Sequence, residues 1–338
     1  MRRCFQLAEQ GRGIVSPNPL VGCVLTVGER IIGEGYHHEY GSHHAEVNAV
    51  NSVQDPSLLS QATAYVNLEP CAHHGKTPPC ADMLIKHQVK RVVISNRDPF
   101  DEVDGKGIER IKAAGIKVAV GVLEDDGIWL NRDFFTYHTK QRPFIQLKWA
   151  QTSDGFFDKS RQTNELGSTW ITAPSTRKLV HTMRADADAI LVGNKTVLID
   201  NPELTVRDVA GKNPLRVVID MNNAIAKGHR ILNDEAPTLI INGFKSITQG
   251  SNEWLQVSSN QVFEDLMNAL YERKVQRLMV EGGAFTIQRF LMNELWDEAM
   301  VLEGNKTFGA GMKAPSIPQQ ASHVYMYRQD RIYQYRRS

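Results

Sequence analysis

His44-Ala-Glu46, the alternating run Ala62 to Leu68, then Glu69-Pro70-Cys71 and finally Cys80 form the stretch that decides how this chain is read. Zinc favours neutral imidazole and thiolate, and a catalytic zinc site uses three protein ligands and leaves its fourth tetrahedral position to water. His44, Cys71 and Cys80 therefore suffice as a metal set if they converge. Zinc can lower the pKa of a bound water from about 15.7 to about 7, which makes a nucleophile near neutral pH. Glu46, two residues after His44, is near enough to move a proton from that water to a ring nitrogen and on to a departing amine. The local pattern places both halves at element ends. Ala45 to Val53 reads as a helix whose first turn carries His44 and Glu46, and Ala62 to Leu68 reads as a strand running into Cys71.

H-x-E followed by P-C-x-x-C is the pattern of zinc deaminases. Here the two cysteines are instead separated by Ala72-His73-His74-Gly75-Lys76-Thr77-Pro78-Pro79. Glycine and two prolines suit a loop, and Cys80 then arrives at the start of a helix continuing Ala81-Asp-Met-Leu-Ile85. His43, His73 and His74 are alternatively metal donors, substrate contacts, partners that orient a ligand, or solvated loop residues; His44 is preferred as the ligand because it fixes the His-x-Glu spacing. Cys4 and Cys23 read as small apolar filler in a core.

Working outward, 338 residues at 41% hydrophobic and 23% charged are enough for two cores. Thirty-nine Lys plus Arg against 38 Asp plus Glu leave no electrostatic footprint for a long nucleic acid or an anionic membrane, so small ligands are expected. No run of 18 apolar residues occurs and the first ten residues lack a secretion signal, which predicts a cytoplasmic protein whose cysteines stay reduced.

The element pattern is α/β. A helix from Arg2 to Gln10 precedes strands Leu20 to Val27 and Arg30 to Gly35 around a Gly28-Glu29 turn. After the cysteines come a strand Arg91 to Ser95, a helix Gly107 to Ala114, a strand Ile116 to Val122 and a helix Asp125 to Phe135. Helices are expected on both faces of the sheet. The pattern restarts after Arg142-Pro143, which predicts domains 1–142 and 143–338. Strands in the second half are expected at Phe144 to Trp149, Ala189 to Val192, Leu215 to Ile219, Thr238 to Ile241, Arg277 to Val280 and Asp297 to Leu302. Helices are expected at Ser175 to Arg184, Phe263 to Glu272 and Phe285 to Met292. No G-x-G-x-x-G follows a strand, which disfavours a Rossmann domain.

Ser16-Pro-Asn-Pro-Leu-Val-Gly-Cys23, His44-Ala-Glu46 and Leu68-Glu-Pro-Cys-Ala-His-His-Gly-Lys-Thr-Pro-Pro-Cys80 resemble the deaminase half of the bifunctional riboflavin-biosynthesis deaminase/reductase family, long Cys-to-Cys loop included. Ser153-Asp-Gly155, Trp170-Ile-Thr172, Thr196 to Arg207 and Val280-Glu-Gly-Gly283 resemble its reductase half. The resemblance implies a cytidine-deaminase-like zinc domain followed by a dihydrofolate-reductase-like domain. It implies removal of the 2-amino group from a phosphoribosyl diaminopyrimidine, then NADPH-dependent reduction of the ribosyl chain to ribityl. It further implies Glu46 as catalytic, and Ser168, Arg184, Leu204, Arg207 and Glu281 on the substrate. Gln151, Trp170, Thr196, Asp200 and Gly283 would meet the cofactor. Guanidinium groups suit a 5′-phosphate, and Gly282-Gly283 ahead of a helix suits a pyrophosphate. Lys148 and Asp200 are candidates for proton transfer during sugar opening, with ion pairing at the core edge as the plainer role.

The start is short against the family, and Glu303-Gly-Asn-Lys-Thr-Phe-Gly309 lacks its Ala-Pro-like turn. A homo-oligomer acting on small molecules, with no nucleic-acid or membrane partner, is expected. On the residues alone, a nucleic-acid deaminase and a carboxyl half that serves only for binding or dimerisation remain the alternatives.

Overall fold

The computed structural model describes residues 1–72, 79–161 and 165–337, and the chain separates into two units, Met1–Gln141 and Arg142–Ser338. In the first, the elements follow as α1 (Arg2–Ala8), β1 (Gly22–Val27), β2 (Arg30–Tyr36), α2 (Ala45–Asn51), β3 (Thr63–Leu68), α3 (Cys80–Lys86), β4 (Arg91–Asn96), α4 (Lys106–Ala113), β5 (Lys117–Val120), α5 (Glu124–Leu130) and α6 (Arg132–Lys140). The five strands lie in the order β2-β1-β3-β4-β5. β1 pairs antiparallel with β2 and β3, whereas β3, β4 and β5 run parallel.

Side chains alternate across a strand, and that alternation builds a three-layer unit. Cys23, Leu25, Ala64, Val66, Val92 and Ile94 face α2, α3 and α4. Val24 and Tyr65, one residue out of phase, face Cys4 and Leu7 of α1. Both spare cysteines are thus core residues, fully buried.

The expected single helix over Asp125 to Phe135 is two helices. Asn131 leaves helical geometry at φ −103°, and its buried carboxamide both accepts from Leu20 N at 2.8 Å and donates to Leu20 O at 2.9 Å. Pairing a distant backbone unit outweighs one more turn of helix, because an unpaired buried peptide group costs about 1–3 kcal/mol.

The second unit contains β6 (Phe144–Thr152), β7 (Phe156–Lys159), α7 (Thr176–Asp186), β8 (Ala189–Gly193), α8 (Asn194–Asp200), β9 (Leu215–Ile219), β10 (Thr238–Asn242), β11 (Ile247–Gln249), β12 (Asn252–Gln256), α9 (Val262–Glu272), β13 (Arg277–Val280), α10 (Ala284–Met292), β14 (Glu298–Gly304), β15 (Gly311–Lys313), β16 (His323–Tyr327) and β17 (Asp330–Arg336). Its main sheet has the order β11-β12-β10-β9-β8-β13-β6-β14-β17-β16, and β7 with β15 forms a separate pair. From β12 to β14 all neighbours are parallel, and antiparallel strands close both edges.

Parallel strands buried on both faces read as near-continuous apolar runs; β8 does so, as does β13 after Arg277, whereas β6 interrupts its run with Lys148 and with Gln146, which donates to Glu298 at 2.7 Å. Leu147, Leu191, Val280, Ile287 and Phe290 pack on the α9/α10 face. Met279, Met300, Val180 and Met183 pack on the α7 face, with Ile190, Val192 and Val197 beside them. Helix α8 and strands β7, β11, β12 and β15 to β17 extend beyond the elements expected from the pattern. Among the described residues no helix is long and apolar enough to cross a membrane.

Candidate functional site

His44 is the N-cap of α2, with extended backbone, and Glu46 lies in the helix's first turn. Cys71 follows β3, and Cys80 opens α3. His44 Nδ1 lies 3.6 Å from Cys71 Sγ and 3.4 Å from Cys80 Sγ, and the three donor atoms fall within 4.8 Å of one another. Zinc bonded at about 2.3 Å to sulfur and about 2.05 Å to nitrogen in a tetrahedron sets the two donors about 3.6 Å apart, so the set fits that ion. His43 is exposed, and its carbonyl accepts from His37 and Asn48 side chains. His73 and His74 lie outside the described residues.

The electrostatics agree with a cation site. A hydrogen bond from Cys80, then one from His44, holds the Cys71 thiol down to about 4, while hydrogen bonding to Cys71 and burial push Cys80 up. Its bond to Cys71 raises His44 to about 9. Cys80 N also donates to Cys71 Sγ at 3.3 Å. Burial pushes the Glu46 carboxyl up to about 7, with His44 pulling the other way. A carboxyl poised near neutrality is suited to both taking and giving a proton.

What holds Cys71 was not visible in the sequence. Glu69, 4% exposed, accepts four backbone N–H groups: Gly107 at 2.9 Å and Ile108 at 3.1 Å on one oxygen, Gly105 at 2.9 Å and Asp98 at 3.3 Å on the other. The carboxylate therefore caps the positive end of α4 and anchors the chain two residues before the ligand. The fit is tight: a Cβ on Gly107 would stand 1.9 Å from the Pro70 carbonyl oxygen. Beside this, burial raises Asp98 to about 7, although Phe100 N opposes the shift.

In the second unit, Arg184 on α7 and Glu281 after β13 form a bidentate pair, with Nε–Oε1 2.9 Å and Nη2–Oε2 2.7 Å. Burial would raise Glu281, but Arg184 and Lys148 outweigh it and hold it at about 2. Burial lowers Lys148. Arg207 is directed to Glu203, 2.6 Å away, and its backbone N–H donates to His181 Nδ1.

The Leu204 side chain lies in the core with Val192 and Ile231, at φ 56°. Ser168 is exposed, and Trp170, 57% exposed, stacks with Arg177 at 4.9 Å. Gly283 caps α10 at φ 66°, and a Cβ there would lie 3.3 Å from Thr196 Oγ1. Gln151 accepts from the Trp149 indole at 3.1 Å. Burial raises Asp200 against the pull of Arg161, and its Oδ1 has no hydrogen-bond partner among the described residues. Arg184 with Glu281 and Thr196 with Gly283 are thus brought together, and Thr205 links Arg184 to Arg207, its carbonyl accepting from Arg184 Nη1 at 3.3 Å and its hydroxyl from Arg207 Nη1 at 3.2 Å.

One unit with a zinc-type His/Cys/Cys centre and a buried glutamate, followed by an α/β unit with helix openings at the carboxyl ends of parallel strands, defines a metal-dependent deaminase joined to a reductase. The description "Cytidine and deoxycytidylate deaminase zinc-binding region" matches residues 1–96, and "RibD C-terminal domain" matches residues 143–337. The chain belongs to the RibD family of riboflavin-biosynthesis proteins, whose members join a zinc deaminase domain to an NADPH-type reductase domain. It is 40% identical over 324 residues to the riboflavin biosynthesis protein RibD of Aquifex aeolicus, covering 92% of this chain and 88% of that one. Against its Escherichia coli counterpart it is 36% identical over 333 residues, with the same coverages. The crystal structure of a diaminohydroxyphosphoribosylaminopyrimidine deaminase/5-amino-6-(5-phosphoribosylamino)uracil reductase from Thermotoga maritima superposes with a TM-score of 0.89 at 37% identity, covering 99% of this chain and 97% of that one. The enzyme is accordingly a hydrolase and an oxidoreductase acting on a small molecule.

Proposed function

We propose that the first unit hydrolyses the 2-amino group from 2,5-diamino-6-(5-phosphoribosylamino)pyrimidin-4(3H)-one, and that the second reduces the resulting uracil's ribosyl chain to give 5-amino-6-(5-phosphoribitylamino)uracil. The carrying observation is the convergence of His44 on both sulfurs with the Glu46 carboxyl buried beside them. His44, Cys71 and Cys80 hold the metal. Zinc, when bound, supplies the Lewis acid that makes water nucleophilic near neutral pH. Glu46 takes one proton from the attacking water and delivers it to the ring nitrogen, which keeps it in the uracil; the hydroxyl left on C2 then gives up its own proton, which Glu46 carries to the amine as the C2–N bond breaks, C2=O forms and ammonia leaves.

In the reductase unit NADPH, when bound, supplies the hydride. Gln151, Trp170, Thr196, Asp200 and Gly283 hold the cofactor, the amides opening α10 taking its pyrophosphate. Ser168, Arg184, Leu204, Arg207 and Glu281 bind the substrate. Half of the Arg207 side chain is open to solvent, which leaves a guanidinium fork to exchange Glu203 for a 5′-phosphate. Glu281, kept ionised by Arg184, accepts from sugar hydroxyls, and Lys148, its ammonium disfavoured by burial, gives up a proton during ring opening. The same proposal includes residence in the cytoplasm and a homo-oligomer. The exposed apolar Val324 and Met326 on the edge strand β16 support self-association.

The test is Glu46→Gln with the diaminopyrimidine as substrate. Zinc content stays at one per chain and ammonia release is lost, whereas unchanged release refutes the proton-transfer role. Cys71→Ser lowers zinc content, and Arg207→Ala raises KM for the uracil far more than KM for NADPH.

A further inference from the structure

We propose that His37 is a positioning residue of the deaminase site: it locks the carboxamide of Asn18 so that its oxygen is presented as a hydrogen-bond acceptor to an N–H of the pyrimidine. This rests on the deaminase function given above. His37 follows β2, is 4% exposed, and its ring meets that of His44 edge-on at 5.6 Å. Its Nδ1 lies 3.0 Å from the His43 carbonyl oxygen, and its Nε2 lies 3.0 Å from Asn18 Nδ2.

A carbonyl can only accept, so Nδ1 carries the proton. In a neutral imidazole Nε2 is then a bare acceptor, and only the NH2 of Asn18 can satisfy it. The orientation of the carboxamide follows without further assumption: its donor end is consumed, and its Oδ1 receives no hydrogen bond among the described residues. The His43 carbonyl that sets this order is itself fixed by Asn48 Nδ2 at 3.3 Å, and it belongs to the residue preceding the metal ligand.

The segment that carries Asn18 is held as firmly. Leu20 O accepts from Asn67 Nδ2 at 2.8 Å and Asn131 Nδ2 at 2.9 Å, Leu20 N donates to Asn131, and Gly22 N donates to Asn67 Oδ1 at 2.7 Å. A fixed acceptor one side chain away from His44 selects for ligands that offer N–H there, as a diaminopyrimidine does. It also discriminates against rings that present only acceptors, because a preorganised polar group left unpaired is penalised.

The experiment is a double-mutant cycle on the zinc-loaded full chain, with Asn18→Ala, His37→Phe and the double variant; phenylalanine keeps a ring against His44 and removes both nitrogens. Asn18→Ala is expected to lower kcat/KM for ammonia release about tenfold, and His37→Phe severalfold. Zinc content and NADPH-dependent uracil reduction should hold in both. The double variant should be no worse than Asn18→Ala alone. Losses that multiply in the double variant, or an Asn18→Ala enzyme within twofold of wild type, overturn the proposal. Nitrogen-15 NMR of the wild type with labelled histidine provides a readout independent of turnover: His37 should show a protonated Nδ1 and bare Nε2, and the opposite tautomer overturns the assignment. A wild-type chain that releases no ammonia overturns the deaminase function first, and this proposal with it.

Discussion

Glu69→Gln tests how the metal centre is supported. The substitution keeps the size of the side chain but turns one acceptor oxygen into an NH2 group. Whichever oxygen is replaced, two backbone N–H groups lose their acceptor, Gly107 and Ile108 on one side or Gly105 and Asp98 on the other. Hydrogen bonds to a charged group contribute about 1.5–3 kcal/mol each, so the loss is about 3–5 kcal/mol after partial relaxation. For a domain of this size 1 kcal/mol moves the melting temperature by roughly 2–4 °C, which predicts a drop of about 10 °C or more in the transition of the deaminase unit. Scanning calorimetry of the full chain checks it, with Glu109→Gln as the control. Glu109 is exposed on the same helix, and its loss should change stability by no more than about 0.5 kcal/mol. Because Cys71 lies two residues from Glu69, the variant should also yield zinc to a chelator faster. A Glu69→Gln chain that melts within 2 °C of wild type would refute the claim that these four bonds position the ligand.

Asp98 carries a pH dependence of unusual sign. Its folded pKa of about 7 lies above the ordinary 3.8, so the folded state binds the proton more tightly; the stability it contributes is complete below pH 4 and disappears as pH rises through 7. Asp98→Asn should therefore stabilise the unit at pH 8, by up to about 4 kcal/mol for a shift of about three units, and flatten the pH 5–8 stability profile seen by denaturant melts. Chelation of zinc should abolish ammonia release and leave NADPH-dependent uracil reduction intact; equal loss of both would contradict separate chemistries. In the reductase unit, Glu281→Gln leaves Arg184 buried without its counter-charge and should cost about 3–5 kcal/mol. Arg207→Ala, half open to solvent, should cost no more than about 1 kcal/mol, and the reverse ranking in urea unfolding would contradict the burial described here.

Much of this architecture is legible in the sequence where chemistry and periodicity coincide. His44 and Glu46 are readable because a helix opening places residues two apart near one another. Strand β8 is readable because it is apolar throughout, and β13 because Leu278-Met-Val280 follows Arg277 as an unbroken apolar run. The rest depends on partners far along the chain. Nothing near Glu69 announces that it will cap a helix beginning at Lys106. Arg184 and Glu281, 97 residues apart, look like two free substrate groups until the fold pairs them. Asn131 ends a helix for the sake of Leu20, 111 residues earlier. Helix α8, Asn-Lys-Thr-Val-Leu-Ile-Asp, is too short for a periodic signal, and β16 is exposed along most of its length, so neither carries the alternation that marks a buried element.

The two thiolate-bearing positions are fastened from opposite directions, Cys71 through the Glu69 cap and Cys80 through the opening turn of α3, with Ala81 N on the Cys71 carbonyl at 3.1 Å. Donor spacing at the metal site is thus set by two separately anchored chain ends, so a substitution that loosens one anchor should weaken the hold on the ion without unfolding the other.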